Sequence, residues 1–334
     1  IRLVPQLMYR AQPPRPSPKG SAQLCPRCSN PTDDLKQLAI QTHLFSQEFI
    51  RVTRRDPQHW GQFSRFPAEQ GTVICSPPAA GSGCWVGAHG AMYDATDVSF
   101  YLIYRVRRPR GVQPDRGAEI HLLRGSDGVQ FEEIWSGTKD QLSTTSIERC
   151  GLRRLGPDRW ALYVSYVDPA DGRWRIDVCE AASPDKFDLR NCRPILTAAD
   201  IDADGVKDPF LFQVAGQYHM IVSFATAVAA DAEANALHGT HDAYNTGLIR
   251  SRTGLATSED GLNWRWQGAV MEPSREGWDR YCARIGCVFR ADGLWLALYD
   301  GSADVSENYE ERVGLAYSSD LRTFHRVTEA GPLM

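Results

Sequence analysis

The sequence predicts an all-β protein, a five-bladed β-propeller with four-stranded antiparallel blades around a central channel. Three observations predict it: four copies of one aromatic-rich strand, a turn-and-aromatic signature after each copy, and a repeat spacing of roughly 60 to 75 residues.

The strand copies are FYLIY at 100–104, WALYVS at 160–165, YHMIVS at 218–223 and WLALY at 295–299. Each reads as the second strand of a blade. A third strand and a turn into a fourth follow at 120–131, 176–187, 254–264 and 314–324, ending in Phe131, Phe187, Trp264 and Phe324. A Ser/Asp/Gly turn closes the two strands, and the aromatic is placed to pack between neighbouring sheets. Residues 49–60 followed by 71–75 repeat the outer half of a blade. The inner half of that fifth blade is left to come either from a continuation beyond Met334 or from the residues before 35, and a missing C-terminal segment is the expected source. Residues 1–35 read as an irregular N-terminal arm, with Pro13, Pro14, Pro16, Pro18 and Gly20 and little hydrophobic pattern. Residues 36–334 are assigned to the propeller, and one helical stretch is expected at about 33–47.

Composition limits the partners. The 334 residues are 42% hydrophobic, enough to bury a sizeable core, and the net charge of −4 provides no basic field for nucleic acid or an anionic membrane surface. No run approaches the roughly 18 apolar residues of a membrane span. Residues 1–10 lack signal-peptide pattern, and both a secreted and a cytoplasmic location stay open. Nine cysteines include the close pairs Cys25/Cys28, Cys75/Cys84, Cys179/Cys192 and Cys282/Cys287. These spacings suit local disulfides in an oxidising compartment, the alternative being core thiols.

Counting back from the second-strand aromatics identifies the opening residue of each innermost strand as His89, Glu148, Asp208 and Arg284. Four ionisable residues at one repeat position point to the channel, because unpaired charge is costly in a core. A salt-bridged ring filling the axis is the bland alternative.

Lys207-Asp208-Pro209-Phe210-Leu211-Phe212, the Ala-x-Ser-x-Asp-Gly-x-x-Trp turn ending at Trp264, and the five-blade count resemble the five-bladed glycoside hydrolases. That grouping contains arabinanases, β-xylosidases, fructan hydrolases and the related mannoside phosphorylases. The resemblance spans residues 49–334 and is architectural. It implies a carbohydrate substrate, no required cofactor and a pocket of carboxylates from different blades: Asp208 matches the Asp-Pro strand opening, Glu148 stands one blade earlier, and Glu310 or Glu311 on the acidic loop 307–312 supplies another. His89 stands where the first blade of those enzymes offers an Asp. Substrate-positioning roles are expected for His89, Arg149, Lys207, Arg284, Asp300 and Arg312, whose charges suit carboxylate partners or an anionic substituent.

Asp200, Asp202 and Asp204, followed by Gly205 and Asp208, have the alternation of a calcium loop, although Leu211 stands where a bidentate Glu belongs. Calcium is therefore a possible ligand, and an acidic loop between blades is the alternative. The chemistry implied is glycosidic cleavage. A non-catalytic carbohydrate- or protein-binding propeller and a glycoside phosphorylase are the competing functions.

Overall fold

The computed structural model describes residues 2–3, 71–229, 233–291, 293–308 and 310–333. The arm at 4–35, the helix expected near 33–47, the half-blade residues 49–70, and Cys25 and Cys28 lie outside the described residues. Strand β1 (Arg2–Leu3) pairs antiparallel with β2 (Thr72–Val73).

Four consecutive blades follow. The first contains β3 (Trp85–Asp94), β4 (Ser99–Arg107), β5 (Glu119–Gly125) and β6 (Glu132–Thr138). The second contains β7 (Ile147–Gly156), β8 (Arg159–Val167), β9 (Trp174–Ala181) and β10 (Arg193–Leu196). The third contains β11 (Gly205–Val214), β12 (Gln217–Ala227), β13 (Ile249–Ser258) and β14 (Arg265–Met271). The fourth contains β15 (Cys282–Ala291), β16 (Leu294–Ser302), β17 (Arg312–Ser318) and β18 (His325–Arg326). Every blade is an antiparallel meander, and one parallel bridge from Ser251 to Cys282 joins the third to the fourth.

The repeated aromatics bind blade to blade. Phe187 stacks edge-on against Trp135 of the preceding blade at 5.8 Å, and the Trp135 indole N–H donates to the Phe187 carbonyl at 2.9 Å. Trp264 meets Tyr163 in the same way at 5.9 Å, while the Tyr163 hydroxyl donates to the Gly261 carbonyl at 2.6 Å. Buried clusters accordingly lie between blades: Leu122 with Leu162, Val178 with Val222, and Leu255 with Val288. The turns ahead of these aromatics share one device. Asp260 accepts the backbone N–H groups of Leu262 and Asn263, both at 2.8 Å, and Asp320 accepts those of Arg322 and Thr323. The device needs a left-handed residue next, supplied by Gly261 at φ 77° and, in the fourth blade, by Leu321 at φ 65°.

Near the axis the inner strands approach closely. A Cβ at Gly90 would sit 2.5 Å from the Cys150 carbonyl oxygen, so β3 and β7 meet at a distance that only glycine permits.

Candidate active site

Each inner strand is bulged at the same level. Pairing of β3 with β4 passes from Gly87↔Arg105 to Gly90↔Ile103, that of β7 with β8 from Ile147↔Tyr166 to Cys150↔Val164, and that of β11 with β12 from Lys207↔Ser223 to Phe210↔Ile221. Two residues therefore oppose one in each case, which bends the strand and re-aims its side chains. The first bulged residues are Ala88, Glu148 and Asp208. Ala88 and Asp208 both take left-handed backbone, at φ 49° and 61°.

This register corrects the sequence expectation at two of four positions. His89 follows the shared position, which Ala88 occupies. Arg284 precedes the fourth-blade bulge, which falls between Ile285 and Cys287. Nor do the four residues open their strands; they lie inside them. Counting along the chain cannot detect a bulge, because the extra residue alters pairing and leaves residue type unchanged.

Two groups of charges result. In the first, Glu148 is buried and lies 2.7 Å from the Arg105 guanidinium, which also donates to the Ile147 carbonyl at 3.0 Å. Burial alone would raise the Glu148 carboxyl, but the nearby charges of Arg105, Lys207 and Arg116 outweigh it and hold it below the ordinary range. Arg116 is itself paired with Asp242 at 2.5 Å. Lys207 lies over the rings of Trp174 and Tyr244, at 5.1 and 4.3 Å, and 3.7 Å from Asp208. The Asp208 backbone N–H donates to Ser165 Oγ at 2.9 Å.

In the second group, Arg284 is ion-paired with Glu311. Asp300, opposite Arg284 in the β15–β16 ladder, is open to solvent yet surrounded by protein. Loss of hydration raises its carboxyl, Arg284 and Arg149 pull it down, Glu311 and Asp208 push it up, and the balance is upward. His89 is likewise solvent-accessible, and desolvation with the Arg149 charge lowers its imidazole to about 4, so it is neutral near pH 7. The Arg149 Nε donates to the His89 carbonyl at 2.8 Å.

Asp208, Asp300, Glu311, Arg284, Arg149 and His89 thus form one neighbourhood, with Glu148 and Lys207 behind it. Arg312 is drawn away to Glu307 at 2.6 Å, and Glu310 is exposed on the loop. Arg105, Arg116, Asp242 and Tyr244 escape the sequence reading, because they come from second strands and loops outside the inner-strand ruler. The calcium arrangement does not fit. Asp200 accepts from the Thr197 N–H and hydroxyl at 2.8 and 2.7 Å, Asp204 accepts from the Ala227 N–H at 2.6 Å, and Asp202 is exposed. Among the described residues no three acidic, His or Cys side chains form a metal-binding cluster. Cys75, Cys84, Cys179, Cys192, Cys282 and Cys287 are thiols and form no disulfide, contrary to the local pairing that their spacing suits.

No protein-family model matches this sequence, and no curated protein does. Among solved structures, the complex of BT0996 with RGII is similar with a TM-score of 0.53 at 11% identity, over 75% of this protein and 74% of that one. The GH43_1 enzyme from Xanthomonas citri complexed with xylotriose has a TM-score of 0.49 at 13% identity, over 77% of each protein. Zg3597, a family 117 glycoside hydrolase from Zobellia galactanivorans, has a TM-score of 0.49 at 15% identity, over 77% of this protein and 73% of that one. The first of these shows a shared fold.

Proposed function

We propose that this propeller is carbohydrate-active and hydrolyses glycosidic bonds at the bulged level of its channel, with Asp300 as proton donor and Asp208 as the opposing carboxylate. The observation that supports this most is the environment of Asp300: a solvent-accessible carboxyl whose pKa is raised above the ordinary aspartate value by the surrounding protein and by the charges of Glu311 and Asp208. Glycoside cleavage requires one such acid and one ionised carboxylate across the scissile bond. Asp208 stands on strained, left-handed backbone, 3.7 Å from the Lys207 ammonium.

Glu148 takes a different role from the one its position suggests. Largely buried against Arg105, it fixes the positive charges behind the site. Glu311 neutralises Arg284, and neutral His89 is suited to hydrogen-bond a sugar hydroxyl.

The test is hydrolysis of a panel of aryl glycosides and oligosaccharides by wild type and Asp208→Asn. Wild type is expected to cleave a member of the panel, and the variant to lose about 10²-fold or more in kcat while its binding persists. Binding without cleavage by wild type would establish a non-catalytic carbohydrate-binding propeller. Turnover that requires inorganic phosphate would establish a phosphorylase.

A further inference from the structure

Cys179 lies on β9, and Cys192 stands immediately before β10. The two strands pair antiparallel from Arg193↔Val178 onward, so one step outward Cys192 comes opposite Cys179. Opposed residues of an antiparallel pair have Cα atoms about 4.5–5.5 Å apart and side chains on one face, within the span of about 4.4–6.8 Å that a disulfide bridges. The packing agrees: Cys179 is fully buried in the seam between the first two blades, and half-buried Cys192 packs against the same cluster. Their thiols are hydrogen-bonded to each other, and the Cys179 thiol also meets the Asp188 carbonyl at 3.0 Å. The bond from Cys192 holds the Cys179 thiol below its ordinary value.

Other described thiols are differently placed. Cys282 and Cys287 lie five positions apart on one strand, about 15 Å of extended chain, and Cys282 Sγ meets Ser302 Oγ at 3.1 Å. Cys150 shares the seam, but its thiol donates to the Glu148 carbonyl at 3.5 Å and burial pushes it up to about 12. We infer that Cys179 and Cys192 are a reversible oxidation site, thiols in this structure and a disulfide once the chain meets a low-molecular-weight disulfide oxidant. The half-buried Cys192 sulfur, as thiolate, attacks one sulfur of the oxidant, breaks its S–S bond and expels one thiolate. The Cys179 thiolate then attacks the Cys192 sulfur, forms the Cys179–Cys192 bond and expels the second. Each expelled thiolate takes up a proton that the protein has lost, so two protein thiols and one oxidant disulfide give one protein disulfide and two small thiols. The bridge pins the four-residue strand β10 to β9 and closes the segment carrying Phe187, whose ring fills the seam against Trp135. The site is remote in the blade from Asp300 and does not depend on glycosidase activity.

The test incubates the full folded chain in oxidised glutathione, returns part of it to reduced glutathione, alkylates the remaining thiols and maps the peptides by mass without reduction. A linked pair of peptides carrying Cys179 and Cys192 should form in the first step and disappear in the second. The oxidised chain should have an unfolding constant about 10²-fold smaller than the reduced chain, and Cys192→Ser should abolish this difference. Recovery of Cys179 and Cys192 only as alkylated thiols or as separate glutathione adducts, or an undiminished difference in Cys192→Ser, would overturn the proposal. Should that variant fail to fold, the peptide map of the wild type decides alone.

Discussion

Arg284 and Asp300 face one another across the β15–β16 ladder, yet the Arg284 guanidinium is ion-paired with Glu311. Asp300 therefore shares this cation with a competing carboxylate, and the balance of its surroundings raises its pKa. With Asp300 as the proton donor, kcat/KM falls as pH rises through its pKa. Glu311→Gln removes a charge that raises this pKa and should move the alkaline limb to lower pH. Arg284→Met removes a charge that lowers it and should move the limb to higher pH. Kinetics across pH check both signs, and shifts in one common direction would refute this assignment of the limb.

Glu148→Gln leaves Arg105 buried without its counter-charge. Such a loss costs about 3–5 kcal/mol, read as a lower denaturation midpoint, and Glu148→Gln combined with Arg105→Met should recover much of it. The folded carboxyl titrates below the ordinary glutamate value of 4.5. Its contribution to stability is thus present above that value and is lost as pH falls through the folded pKa. Acid unfolding of wild type and variant should converge there.

Phe187→Ala empties the seam between the first two blades, where the ring packs on Trp135. Removal of a buried phenylalanine side chain costs about 3–5 kcal/mol. The indole hydrogen bond goes to the Phe187 backbone carbonyl and is formally retained, so the loss reports packing. Equilibrium unfolding in urea measures it.

Ala88→Gly relieves a left-handed backbone at the bulge of β3, where φ is 49°. The expected gain is about 1 kcal/mol in unfolding free energy, since the penalty for an L side chain in this region exceeds the entropy cost of glycine. No gain would mean that the methyl group's packing offsets the strain.

The blades were legible because strand faces alternate: FYLIY at 100–104 and its three counterparts carry aromatic and apolar side chains into seams that recur with the blades, and Phe187 and Trp264 mark the turns. The channel was only partly legible. Glu148 and Asp208 were placed together by counting, while His89 fell one residue after the bulge position of its strand and Arg284 two residues before that of its own, because bulges alter pairing without altering composition. Partner choice was hidden altogether. That Glu148 is buried against Arg105, and that Asp300 feels Glu311 and Asp208 together, depends on four blades converging in space. The calcium loop shows a related limit: Asp200, Asp202 and Asp204 alternate in sequence, but Asp200 holds the Thr197 turn, Asp204 accepts the Ala227 N–H and Asp202 is exposed.

Protonation of the departing oxygen by Asp300 is tested most directly by leaving-group dependence in Asp300→Asn. With a poor leaving group the variant should lose about 10²–10⁴-fold in kcat/KM, and with a good one, which needs no protonation, it should retain most of the wild-type rate. An equal loss for both leaving groups, or no loss for either, would contradict the role assigned to Asp300.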